Sequence, residues 1–350
     1  MTATEGTPRI GTVAYGGHVP SPVRVSGTAA PAPAPDRARP RADSSGIGAG
    51  LATAVVSALG VWLIWRVFVA GAPGQRVDQA VFDGARYGRS RLWDLAQPVL
   101  DGISVPYVAL VLLGAVLIAA LRRRWGLAVQ VALLMGGANL TTQLLKTGVL
   151  SRPDLGATAL FPNSLPSGHT TVAASVSAAL VFVVPPRVRP WAAVLGAIYT
   201  AIVGVSVIVG GWHRPSDAAA AVLVVLAWSG LACAVAAATR PRAADGSVAT
   251  VTAELARPAP GAPGRPEDGT RRRWRSPALG VGGGLLLLAA VGAAVPASYA
   301  MYLSWTAAGA LDSRLQLLVA YAGGVFGVVA VSALTFGTLL AVRHAAGRAA

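Results

Sequence analysis

The sequence predicts an all-α membrane protein: a polytopic bundle with a six-helix core and two further helices at the C-terminus. Three observations carry that expectation. Hydrophobic residues make up 54% of the chain and charged residues 12%, with a mean hydropathy of +0.59; a soluble domain carries about 25% charge. Eight apolar runs are each long enough, or nearly so, to cross a hydrocarbon core of about 30 Å. The net charge is +15, which in a soluble chain points to nucleic acid. Here the arginines sit in the tails and between the apolar runs, so they read as topology signals and no nucleic-acid partner is expected.

Residues 1–45 are rich in Pro, Ala, Gly, Thr and Arg, lack apolar periodicity and read as a disordered cytoplasmic tail in which His18 is inert. They show no secretory signal. The core follows over 46–238, with apolar runs at roughly 47–71, 104–121, 126–147, 168–185, 191–210 and 217–238. Between the first two runs, residues 72–103 carry Val77, Val81, Leu92, Leu95 and Val99 among balanced charges, the pattern of amphipathic helix lying on the outer face. Residues 239–276 form a cytoplasmic linker rich in Pro and Gly. A two-helix appendix with a short tail, 277–350, contains runs 278–304 and 315–342. The single cysteine, Cys233, lies inside a run, so the chain has no internal disulfide and no cysteine-rich metal site.

Arginine placement orients the bundle. Arg37, Arg39, Arg41, Arg122–Arg124, Arg187, Arg189, Arg240, Arg242, Arg271–Arg273, Arg275, Arg343 and Arg348 all fall on one side if the runs alternate, and the positive-inside rule makes that side cytoplasmic. The loop at 72–103, with Arg76, Arg86, Arg89 and Arg91, is the exception. Trp125, Trp191 and Trp305 fall near run ends, as an interfacial belt requires.

Counting crossings then brings the polar residues together. Lys146, the only lysine against 28 arginines, and Arg152 lie at the outer end of the third run. Pro166-Ser167-Gly168-His169 opens the fourth at the same face. His213-Arg214-Pro215-Ser216-Asp217 lies two crossings later, again outside. Ionisable groups at membrane boundaries are functional candidates. Their types suit phosphoryl transfer, which needs positioning and charge stabilisation. Lys146 supplies a point charge and Arg152 a planar fork. Ser167 and Gly168 sit at a helix N-terminus, which favours an anion. One histidine can attack phosphorus while the other protonates the leaving oxygen. Asp217, four residues after His213, lies one helical turn on and can orient its imidazole. It can also cap the sixth run.

These residues resemble the three-part signature of the type-2 phosphatidic acid phosphatase family, which the vanadium haloperoxidases share: lysine, six residues, Arg-Pro; then Pro-Ser-Gly-His; then Ser-Arg, five residues, His, three residues, Asp. The resemblance covers roughly 47–238. It implies a six-helix core and metal-independent, cofactor-free dephosphorylation of lipid phosphates or pyrophosphates. It implies His213 as nucleophile through a phosphohistidine, His169 as acid, Asp217 as orienter, and Lys146, Arg152, Ser167 and Gly168 as the phosphate cradle. The chain departs from the pattern twice. Five residues separate Lys146 from Arg152, a change that on an α-helix rotates the lysine by about 100°. Ser206-Val207 stands where the family has Ser-Arg, which makes Arg214 the nearest replacement.

The leading expectation is therefore a multi-pass cell-membrane phosphatase with its site on the extracytoplasmic face, acting on a lipid phosphate drawn from the bilayer. A membrane protein that binds a lipid phosphate but turns it over weakly, and a transporter, are the alternatives; the lipid and the oligomeric state are left open.

Overall fold

The computed structural model of the chain describes residues 44–102, 125–156, 163–239 and 277–348, with a few isolated positions besides. The expectations for the N-terminal tail, for most of the 104–121 run and for the linker lie outside the described residues. Within them every regular element is helical. Helix α1 (Ser44–Ile64) runs into a π-helical turn at Trp65–Val69. Two shorter helices follow, α2 (Ala72–Ala85) and α3 (Arg89–Asp101). Helix α4 (Trp125–Leu144) also ends in a π-helical turn, Leu145–Val149. Then come α5 (Gly168–Val183), α6 (Arg189–Val209), α7 (Pro215–Ala238), α8 (Pro277–Thr306) and α9 (Arg314–Arg348). Six of them, α1, α4, α6, α7, α8 and α9, are long and apolar enough to cross a membrane, and α5 is a shorter apolar helix of 16 residues. This is the all-α polytopic bundle that the composition predicts.

Punctuation in the sequence explains the helix ends. Val184 is extended and precedes Pro185-Pro186, which cannot continue α5. Pro190 and Pro215 occupy the first turns of α6 and α7, where a missing N–H costs nothing. The 72–103 segment is helical as its pattern predicts, but it is two helices broken at Arg86–Gly88. Its apolar residues also divide: Val77 and Val81 are buried, whereas Leu92 and Leu95 are exposed.

Helix α7 lies at the centre of the bundle, packed against α1, α4, α5 and α9. Its approach to α1 is backbone on backbone. A Cβ on Gly50 would meet the Gly230 carbonyl oxygen at 2.6 Å, and one on Gly230 would meet that of Gly50 at the same distance. Helices α8 and α9 pair along their length, and α9 also packs on α2, α6 and α7. The main apolar core accordingly joins Leu134, Met135, Phe182 and Val225 to Phe336 and Leu339 of α9.

Candidate active site

The first turn of α7 builds the centre of the site. Pro215 fixes the helix start, Arg214 before it is extended, and Asp217 is the third helical residue. That geometry turns the Asp217 carboxylate back on its own N-terminus. Its Oδ2 accepts from the Arg214 backbone N–H at 3.0 Å, pairs with His213 Nδ1 at 3.1 Å and accepts from Ser164 Oγ at 2.6 Å. Capping and orienting the imidazole are thus done by one oxygen. His213 reaches this position through Gly211, whose φ of +69° suits a residue without a Cβ, and the Trp212 and His213 N–H groups both donate to the Val207 carbonyl.

The second motif docks on the same turn. The Ser167 N–H donates to the Asp217 carbonyl at 2.9 Å, tying the start of α5 to α7. Ser167 caps α5, its Oγ accepting from Thr170 N at 3.4 Å and from Thr170 Oγ1 at 3.1 Å. As an acceptor this hydroxyl is committed to the cap, so any bond to an anion uses its hydrogen. A Cβ on Gly168 would meet only open space. The half-buried His169 packs on Trp212 at 5.3 Å between ring centroids, and Trp212 on Trp93 of α3 at 5.9 Å. His169 lies within electrostatic reach of both His213 and Lys146.

Lys146 falls in the π-helical turn that ends α4, where the Leu150 N–H reaches back five residues to Leu145 O at 3.0 Å. Asn163 ties this turn down, its Nδ2 donating to Leu150 O at 3.0 Å. The 100° rotation expected from the shorter Lys146–Arg152 spacing assumed a continuous α-helix. A π-helical turn followed by an extended residue, Leu150, occupies that interval instead, so the assumption does not hold. Arg152 is half buried. Burial, and then the positive charge of Arg214, hold its guanidinium below the ordinary arginine value, while Asp78 and Asp217 act in the opposite sense. Two guanidiniums and the Asp217–His213 pair therefore share one neighbourhood.

The guanidinium of Arg214 is turned toward α2. Its Nε and Nη2 donate to Gln79 Oε1 at 3.3 and 2.8 Å, and it lies over the Phe82 ring at 5.6 Å. Val207 is fully buried in an apolar cluster with Leu100, Ala173 and Val203. Its contribution to the site is its backbone carbonyl.

Several residues at the site were not singled out from the sequence. Ser164 bonds Asp217 directly. Arg89 donates from Nε to the Val209 carbonyl at 2.9 Å and lies against Gly211. Asp78, 1% exposed, accepts from Ser216 N at 3.2 Å and from Ser216 Oγ at 2.5 Å. Only proximity across the fold reveals them; the four-residue spacing that marks His213 and Asp217 has no counterpart here.

Burial, and then the charge of Asp217, push the Asp78 carboxyl up from 3.8 to about 7. The folded chain then binds this proton more tightly than the unfolded chain does. Stability contributed at acidic pH is lost as pH rises from about 4 to about 7, a cost on the order of 4 kcal/mol above that window. Asp78→Asn removes the cost and keeps an acceptor for Ser216 N and a donor for Ser216 Oγ. The variant should melt above the unmodified chain at pH 8, and the gap should close toward pH 4. A gap that is constant with pH would show that Asp78 does not titrate in this window.

The described residues form an all-α bundle with six helices long and apolar enough to cross a membrane, and the three motifs meet at the start of α7. Residues 127–241 match the family model described as the PAP2 superfamily. The match spans all three motifs and supports a phosphoester hydrolase. No curated protein and no solved structure matches the chain.

Proposed function

We propose that the chain is an integral membrane phosphatase that hydrolyses a lipid phosphate or pyrophosphate monoester at the extracytoplasmic face of the cell membrane. The observation that carries this reading is the His213 Nδ1–Asp217 Oδ2 pair at 3.1 Å, with a second histidine in electrostatic reach. Asp217 engages Nδ1, which leaves Nε2 as the nitrogen that attacks phosphorus. The N–P bond forms as the P–O bond breaks, and His169 gives its proton to the departing oxygen. Water, deprotonated by His169, then attacks the phosphohistidine, releasing phosphate and restoring both imidazoles. Lys146, Arg152 and the first-turn N–H groups of α5 offset the charge on the equatorial oxygens. The test is release of inorganic phosphate from phosphatidic acid, phosphatidylglycerol phosphate and a polyprenyl pyrophosphate by purified protein in detergent, with and without chelator. No release from any of them would defeat the proposal.

One observation favours a weaker catalyst that chiefly binds the lipid phosphate: Val207 is buried in an apolar cluster, and the Arg214 guanidinium bonds Gln79. Under that reading the same assay shows little or no phosphate release, while the lipid phosphate still binds the purified protein in a separate binding measurement.

The face is tested separately. In a Cys233→Ala background, Ser90→Cys and Ser151→Cys should react with an impermeant thiol reagent on intact cells, and Ser247→Cys should not. The reverse pattern would place the site on the cytoplasmic side.

A further inference from the structure

Helix α2 lies outside the segment matched to the superfamily, yet one of its faces is polar and buried against the motif loops. Gln75, Asp78, Gln79 and Phe82 recur at the spacing that aligns residues along one side of a helix. Each engages a different part of the site. Gln75 Nε2 donates to Pro153 O at 3.0 Å, beside Arg152. Asp78 takes both hydrogens that Ser216 offers. Gln79 takes two from the Arg214 guanidinium, with Phe82 beneath it. Gln75 and Asp78 are each 1% exposed. Polar groups removed from water are costly unless paired. Gln75 Nε2 also donates to Val69 O at 2.6 Å and Gln79 Nε2 to Asp83 Oδ1 at 3.1 Å, and the remaining bonds of these side chains described above go to motif residues or their immediate neighbours. An apolar face would have held α2 on the bundle more simply.

We propose that Asp78 and Gln79 are positioning residues of the site: α2 sets the direction of the Arg214 guanidinium and the pose of the Arg214–Asp217 turn on which His213 depends. The argument rests on the reading of that site as a phosphoryl binder. Gln79 offers a single neutral oxygen to Nε and Nη2, which fixes the plane of the guanidinium without bringing a countercharge of its own. A carboxylate in that position would fix it equally well and cancel the charge. Asp78 holds Ser216 by main chain and side chain, so the residue between Pro215 and Asp217 cannot rotate without breaking two bonds.

The probe is orthovanadate, a phosphate analogue that takes up the five-coordinate geometry of phosphoryl transfer. Its affinity for the full chain in detergent is measured by calorimetry, beside turnover of the best lipid phosphate and the melting temperature. Gln79→Met keeps volume and removes the acceptor; it should weaken vanadate about tenfold and lower turnover at saturating lipid, with little change in melting. Asp78→Leu should do the same or more, and Asp78→Asn, which retains both contacts to Ser216, should restore affinity to within about threefold. A simple strut would lower the melting temperature of these variants and leave vanadate affinity alone, and that result overturns the proposal. If Asp78→Leu does not fold, Gln79→Met together with Ser216→Ala decides the matter. An unmodified chain that binds vanadate but cleaves no lipid refutes the phosphatase reading, and the vanadate series still decides the role of α2. An unmodified chain that binds no vanadate overturns both.

Discussion

His213→Ala should abolish lipid phosphate hydrolysis, with turnover falling by about 10⁴-fold or more. The loss is large because, in the proposed mechanism, the His213 imidazole forms the bond to phosphorus. Asp217→Asn should lose nearly as much, since the amide can present its N–H to Nδ1 and favour the wrong tautomer. The two variants separate in their intermediates. Rapid denaturing quench of the unmodified chain at alkaline pH with labelled substrate should trap an acid-labile, alkali-stable phosphoenzyme, and His213→Ala should trap none. His169→Ala divides the role of acid from that of nucleophile. With a phenolic leaving group that departs without a proton, it should retain far more activity than with an alkyl phosphate. Equal losses on both substrates would remove His169 from the acid role. A phosphoenzyme in His213→Ala would move the nucleophile elsewhere.

Val207→Arg should damage the fold. The motif comparison places an arginine at this position, facing phosphate, and on that view the substitution repairs the site. The packing argues the reverse. Val207 is 0% exposed and sits among Leu100, Ala173 and Val203, with Trp93 and Tyr199 packed on the same cluster. A guanidinium there has no carboxylate partner in the cluster and would be desolvated without compensation, a cost on the order of 3–5 kcal/mol. The melting temperature should fall by roughly 10 °C, and turnover per folded molecule should not rise. Higher turnover with unchanged melting would mean that residue 207 faces the phosphate after all.

The contrast at Val207 shows where the sequence is informative. Six of the eight apolar runs recur as helices long and apolar enough to cross a membrane, because composition records apolar spans directly; the 168–185 run is a shorter helix of 16 residues and most of the 104–121 run lies outside the described residues. The four-residue spacing of His213 and Asp217 pointed to the pair, although His213 precedes α7 and an extended Arg214 separates them; Asp217 meets the imidazole by turning back over the helix start and not by lying one helical turn on. Crossing counts placed His169 on the same face without any coordinates. The support from α2 was not legible. Gln79 and Arg214 are 135 positions apart, and Asp78 and Ser216 are 138 apart; no periodicity relates them. The apolar residues of α2 announced an amphipathic helix, but its polar side read as the solvent side. In the fold Gln75 and Asp78 are as buried as Val77 and Val81. Polarity alone does not say whether a group meets water or a partner.

The π-helical turn that carries Lys146 has a consequence for how such chains are found. Fixed-gap signatures count residues, whereas a binding site is built on distances. A turn that closes on the fifth residue instead of the fourth shifts the register of everything after it, at the junction where α4 gives way to the Arg152 loop. A pattern requiring six intervening residues would pass over this sequence, although the same stretch lies within the residues, 127–241, that match the PAP2 superfamily model. Allowing one residue of slack at junctions between a membrane helix and its loop, and none between His213 and Asp217 at the capped start of α7, would retrieve such variants while keeping the search strict where the geometry is fixed by hydrogen bonds.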